Sequence, residues 1–234
     1  MTPRLVVLDI GATLVTGPDR GPARRIAELS GLDTEQRRRL HRMLMTTDLS
    51  GPAAAATAAH QRLGLTGRAL EQAIRAVWTA QCLEARLIPG TSDVLCALVG
   101  RGYRLALLSN IWNPYLISVR SVLGDFFAEH IPADLQLFSC LEGIAKPAPE
   151  LFERVLRRAT AEPSDAIMVG DSYEKDIEPA MACGMRSVWL PQPSVPADAV
   201  MARIRLGAAS APDLTLGSLA DVDLDSDWPF RSLT

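Results

Sequence analysis

Apolar positions follow two different rhythms along this chain. Residues 5–8, Leu-Val-Val-Leu, form a short continuous apolar run, followed at once by Asp9-Ile10-Gly11-Ala12-Thr13. Such a run, closed by turn-forming residues, predicts a buried strand over 4–8. From about residue 20 to 86 the spacing becomes helical. A helix over 24–30 stops at Gly31, and Asp33 is placed to cap another that reaches about Met45. Pro52 opens an alanine-rich helix ending at Gly64, and Thr66 is placed to cap a long one through Leu83. No strand pattern interrupts this block.

After Pro89-Gly90 the two rhythms alternate. Thr91 or Ser92 caps a helix ending near residues 100–102, and 104–108 read as a strand closed by Ser109-Asn110. Pro114 suits the first turn of the next helix. Then come a short strand over 135–138, a helix over 149–159, and a strand over 166–169 closed by Gly170-Asp171-Ser172. A helix over 174–182 stops near Gly184, and strands are predicted over 186–190 and 214–216. Residues 191–199, with Pro191, Pro193 and Pro196, read as an irregular loop; the alternating Asp221, Asp223, Asp225 and Asp227 read as a solvated tail. Alternating strands and helices predict an α/β fold, a parallel sheet with helices on both faces. The helical block is then an insert, which divides the chain into 1–14 with 89–234, and 15–88.

Composition narrows the class. A chain of 234 residues, 48% hydrophobic, can bury a full core. No apolar run approaches the roughly 18–20 residues that span a bilayer, and the N-terminus lacks the order of a signal peptide. A cytoplasmic protein with no membrane partner is therefore expected. The four cysteines, Cys82, Cys96, Cys140 and Cys183, have no C-x-x-C spacing and fit reduced, mostly buried thiols. A net charge of −3 argues against a nucleic-acid partner. The charge is uneven: residues 15–88 hold 11 arginines against 7 acids, the remainder 13 basic residues against 20 acids. A basic insert beside an acidic core can draw anions into a cleft; equally, Arg37, Arg38 and Arg39 can be a solvated helix face. The only lysines are Lys146 and Lys175.

Four strand ends or loops carry polar groups: Asp9, Ser109 with Asn110, Lys146, and Asp171 with Asp176. Ligands of open parallel sheets bind beyond the carboxyl ends of the strands, so these groups can converge. A nucleophilic carboxylate, a hydroxyl donor, an ammonium and an acidic corner for Mg²⁺ suit phosphoryl transfer.

Order and spacing here resemble the haloacid dehalogenase-like hydrolase superfamily, mostly phosphatases. Its D-x-D-x-T strand end, second-strand Ser or Thr, K-P-x-P-x-x-F and G-D-S-x-x-x-D fall at Asp9–Thr13, Ser109, Lys146–Phe152 and Gly170–Asp176. The resemblance implies a Rossmann-like three-layer core, with 15–88 as an all-helical cap. It implies Asp9 as nucleophile, Ser109, Asn110 and Lys146 as holders of the phosphoryl group, and a small phosphorylated substrate. It implies Mg²⁺ held by Asp9, the Gly11 carbonyl and Asp171, with Asp176 supporting the metal or Lys146. Nothing in the pattern speaks to oligomeric state.

The departure is Gly11, where the family's phosphatases usually carry a second aspartate as general acid and base. Loss of such a group costs about 10²–10⁴ in rate. A substrate with a good leaving group, a cap residue such as Asp19, Glu28, His41 or Asp48, or slow turnover are the three consequences. Otherwise His41, His60, Trp112, Trp189 and Cys183 have no case beyond packing or surface. A binding or regulatory protein that lost turnover is one alternative, and dehalogenase-type hydrolysis another. Gly170-Asp171 points away from the metal-free dehalogenases, and the absence of lysine from 15–88 points away from Schiff-base phosphonate cleavage. The D-x-G-x-T loop of actin-like sugar kinases would want glycine at 11, but leaves Lys146 and Asp171 unexplained.

Overall fold

The computed structural model describes residues 4–18, 20–192 and 197–225. Among them the elements begin with β1 (Leu5–Leu8), β2 (Val15–Thr16), α1 (Pro22–Ser30), α2 (Thr34–Met45), α3 (Pro52–Leu63), α4 (Arg68–Gln81) and β3 (Arg86–Leu87). There follow α5 (Thr91–Gly100), β4 (Arg104–Ser109), α6 (Asn113–His130), β5 (Gln136–Phe138), α7 (Ser139–Glu142) and α8 (Pro149–Ala159). The chain continues with β6 (Ala166–Gly170), α9 (Glu178–Ala182), β7 (Arg186–Trp189), α10 (Ala197–Arg205) and β8 (Leu214–Thr215).

Six strands form one parallel sheet in the order β5-β4-β1-β6-β7-β8, a Rossmann-like α/β core. β1 is paired on both edges, Val7 standing opposite Ala106 of β4 and Met168 of β6. A strand buried on both faces cannot alternate polar and apolar residues, and Leu5, Val6, Val7 and Leu8 are all fully buried. The central position of β1 matters for the site: whatever follows Leu8 emerges between the ends of β4 and β6.

The helices α1 to α4 gather a second core around Ile26, Leu40, Leu44, Ala59 and Ile74. Their ends follow from local chemistry. Asp33 and Gln36 form a reciprocal capping box at the start of α2, and Gly31 and Gly64 end α1 and α3 in the left-handed region. Trp112, between β4 and α6, belongs to this second core. Its indole N–H donates to the Gln81 carboxamide, and its ring meets Trp78 edge-on at 5.3 Å.

Several expectations need correction. The helical block is flanked by an antiparallel ribbon, β2 with β3, whose two-residue strands are too short to show a period. α4 and α5 begin after Gly67 and Gly90, not at Thr66 or Ser92; Thr91 lies inside α5, its hydroxyl donating to the Leu14 carbonyl. The 174–182 segment opens as a wider π-turn over Tyr173–Ile177 before α9. The loop expected over 191–199 ends early, because α10 starts at Ala197 and buries Val200 against Tyr173, Ile177 and Trp189. Pro193 and Pro196 lie outside the described residues. The acidic segment is not a free tail: Leu219 and Leu224 pack into the sheet core, and Arg101 reaches Asp225 at 2.9 Å. Asp227 lies outside the described residues. Of the cysteines, all unbonded, Cys140 is buried, Cys82 and Cys183 are half-buried and Cys96 is exposed. No described helix is long and apolar enough to cross a membrane.

Candidate active site

Asp9 leaves the end of β1 with its backbone still in the sheet, its N–H donating to the Val169 carbonyl at 2.9 Å. The residue is 7% exposed. Lys146 comes from the loop before α8, and Asn110 fixes that loop. The Asn110 carboxamide donates to the Lys146 carbonyl at 2.8 Å and accepts the Lys146 N–H at 2.7 Å. This clamp aims the ammonium inward, 2.7 Å from Asp9 Oδ1 and 2.5 Å from Asp176 Oδ1. Asp176 Oδ2 accepts the Ser172 N–H at 3.0 Å. Gly170 permits the approach: a Cβ there would lie 2.5–2.6 Å from Asp176 side-chain atoms. Burial works against the Lys146 charge, but Asp176 and Asp9 outweigh it and hold its pKa above the ordinary value.

Asp171 stands one residue beyond β6, half-buried. One oxygen from each of Asp9, Asp171 and Asp176 lies within 4.8 Å of the others. Burial, then the charges of Asp9 and Asp176, push the Asp171 carboxyl up to about 7. Three crowded carboxylates with one ammonium are short of positive charge, and hard oxygen donors of this kind match Mg²⁺. The donor set therefore fits the ion. The Asp171 carbonyl accepts the Trp189 indole N–H at 2.9 Å, which ties this corner to β7.

Ser109 ends β4, 3% exposed. Gly11 lies in a tight turn in which Ala12 takes φ 58° and Gln192 donates to the Ala12 carbonyl at 2.8 Å. A Cβ on Gly11 would meet no atom within 4 Å. So glycine at 11 answers no steric demand. The Thr13 hydroxyl is buried with no hydrogen-bond partner.

Two cavities open beside these groups. One, of about 490 Å³, is lined by Gly11, Asp171, Asn110, Gln81, Trp112 and Tyr115, among others. The second, of about 620 Å³, lies under α1 and α2 and also reaches Asn110 and Lys146. They share Gly21, Met45 and Asn110, and form two lobes of one cleft between the sheet and the helices.

Of the titratable residues considered as substitutes for a second aspartate, His41 lines this cleft. Glu28 is instead paired with Arg20 and Arg24, and Asp48 accepts from Asn113 at 2.7 Å. Asp19 lies outside the described residues. Tyr115 and Gln81, which the sequence did not single out, line the Gly11 lobe. Burial, and then the Asp9 charge, push the Tyr115 hydroxyl up to about 12, so it keeps its proton. Neither residue lies in a motif, and only packing brings them here.

A family model described as haloacid dehalogenase-like hydrolase matches residues 34–184, well over half of the chain. The chain belongs to the haloacid dehalogenase-like hydrolase family. Curated relatives of this hydrolase include a glyceraldehyde 3-phosphate phosphatase of Pyrococcus abyssi, 35% identical over 44% of this chain and 42% of the relative. Another is a ribulose-1,5-bisphosphate 5-phosphatase of Halopiger xanaduensis, 33% identical over 63% of this chain and 61% of the relative. The matched stretch spans between about two fifths and three fifths of these relatives' lengths. Among solved structures, a predicted phosphoglycolate phosphatase of Haemophilus somnus superposes with a TM-score of 0.60. The match covers 94% of this chain and 96% of that one, at 22% identity, and speaks to the fold.

Proposed function

We propose that this hydrolase cleaves a small phosphomonoester through an aspartyl-phosphate on Asp9. The observation that carries the reading is the buried chain from Asp9 through Lys146 to Asp176, joined to Asp171 at the mouth of a cleft. Lys146 pairs with Asp9 at 2.7 Å and orients its carboxylate. An Asp9 oxygen then attacks phosphorus, the bond to the ester oxygen breaks, and that oxygen leaves with its electron pair and takes up a proton. Water attacks the phosphorus of the aspartyl-phosphate, gives up a proton, and phosphate departs with the Asp9 carboxylate restored. Lys146, Ser109 and the remaining Asn110 N–H hold the phosphoryl oxygens, replacing water by fixed donors. Asp9, Asp171 and the Gly11 carbonyl would hold Mg²⁺, with Asp176 in support; bound there, the ion supplies positive charge against the phosphoryl oxygens. The names of the phosphatase relatives support the reaction class.

Helices α1 to α4, within 15–88, act as the cap that closes the cleft and excludes water. With no carboxylate at Gly11, substrates whose leaving oxygen needs little protonation are favoured: anomeric, acyl or aryl phosphates. A screen of sugar, acyl and aryl phosphates with Mg²⁺, run beside Asp9→Asn, tests the reading. Turnover that disappears in the variant supports it, and equal turnover in both proteins overturns it.

A further inference from the structure

The larger lobe of the cleft is lined by Arg24, Arg37, Arg38, His41, Arg42 and Lys175, together with Lys146 at its inner end. Among the described residues no carboxylate lines it. Both lysines of an otherwise arginine-using chain are therefore in this one wall. The spacing on α2 is that of a single helical face: 37 and 38, then 41 and 42 one turn on. Arg39, on the same stretch, points elsewhere, donating to the Leu63 carbonyl at 3.3 Å. So the run is divided: Arg37 and Arg38 line the cleft, Arg38 with 72% of its side chain exposed, and Arg39, also exposed, reaches the end of α3.

Within the wall, Arg24 is paired with Glu28 at 3.0 Å, and Arg38 stands 3.9 Å from Glu35. Among the described residues, Arg37, Arg42 and Lys175 have no carboxylate at ion-pair distance. Positive charges held together without counter-ions repel one another, and a concave wall focuses their field on whatever enters. Partial desolvation first, and the Lys175 ammonium second, push the imidazole of the otherwise exposed His41 below its usual value. Asp171 lines the other lobe, while Asp9 and Asp176 meet Lys146 at the inner end of the wall. The cleft is thus polarised, with carboxylates at its inner end around Lys146, and Arg37, Arg42 and Lys175 along the outer part of the larger lobe.

We infer that the substrate carries a second anionic group, a carboxylate or a second phosphate, which the Arg37, Arg42 and Lys175 side of the cleft binds while the scissile phosphoryl group lies at Asp9. This rests on the hydrolase reading above and narrows its substrate class. A cavity of about 620 Å³ accommodates a metabolite of sugar-phosphate size. Arginine supplies the planar pair of donors that matches either anion.

Two pairs of matched esters test it: glycerol 3-phosphate against 3-phosphoglycerate, which adds a carboxylate, and fructose 6-phosphate against fructose 1,6-bisphosphate, which adds a phosphate. In each pair kcat/KM is measured on the intact enzyme, and Kd by calorimetry on Asp9→Asn, which binds without turnover. The member with the added carboxylate or phosphate should be favoured in at least one pair, by about tenfold or more in Kd. Arg37→Gln with Arg42→Gln should bring that ratio towards unity, raised salt should reduce it, and Arg39→Gln should leave it in place. Ratios near unity in both pairs, or a preference that survives the double variant, would overturn the inference. If neither these esters nor the anomeric, acyl and aryl phosphates of the screen above are hydrolysed, the hydrolase reading fails, while the binding ratios still decide for or against the basic wall.

Discussion

The Lys146 ammonium lies 2.7 Å from the Asp9 carboxylate, and both are buried. Lys146 also meets Asp176 at 2.5 Å, so Asp9 and Asp176 share one cation. The two partners are therefore not equivalent when removed. Asp9→Asn leaves Lys146 paired with Asp176, and should stop turnover while shifting Tm by only a few degrees. Lys146→Met leaves two carboxylates buried against each other, and should cost about 3 kcal/mol or more in denaturant unfolding besides abolishing turnover. Equal destabilisation by the two changes would mean that the shared-cation description is wrong.

Gly11→Asp is sterically open, because a Cβ there touches nothing within 4 Å. The added carboxylate should raise kcat for alkyl phosphates by about tenfold or more, and for p-nitrophenyl phosphate far less, because an acid helps a poor leaving group most. A folded variant with no such split would show that another group already delivers the proton.

Dialysis against a chelator should remove turnover, and Mg²⁺ should restore it. Mg²⁺ at about a hundred times its Kd should also stabilise the fold by about 2.7 kcal/mol, read as a rise in Tm. In Asp171→Asn that rise should shrink. Turnover that persists without metal would favour the dehalogenase chemistry instead.

Glu142 joins α7 to α8 through Arg154 at 2.5 Å and Arg158 at 2.7 Å. Burial raises its pKa, but hydrogen bonds from Arg158 and Arg154 outweigh this and hold it below the ordinary carboxylate value. A lowered folded-state pKa means stability that is fully present above the unfolded value of about 4.3 and lost as pH falls through the folded one. Glu142→Gln should therefore cost about 1–2 kcal/mol at pH 7, and the gap from the parent protein should begin to narrow as pH falls below about 4.3 and close below the folded-state pKa. A gap independent of pH would show that packing, not charge, is the loss.

The sequence carried the sheet body well because each buried strand ends in chemistry that also ends strands: Asp9 after β1, Ser109 in β4, Asp171 after β6. It carried the helix stops at Gly31 and Gly64 for the same local reason. It did not carry the ribbon of β2 with β3, since two residues have no period, nor α10, whose start follows a proline-rich stretch. The convergence of Lys146 and Asp176 on Asp9, expected from motif spacing, is what the structure shows. Tyr115, Gln81 and the division of Arg37, Arg38 and Arg39 were not legible, because which face of a helix meets the cleft is decided by tertiary packing.

Trp112 stands two positions after Asn110, and its ring is lodged among the helices beside Trp78 and Gln81. Asn110 is the residue that holds the Lys146 loop. One short turn consequently joins the second core to the loop that carries the ammonium. Two side chains separated by one residue therefore face opposite ways, the indole into the helices and the carboxamide onto the Lys146 loop.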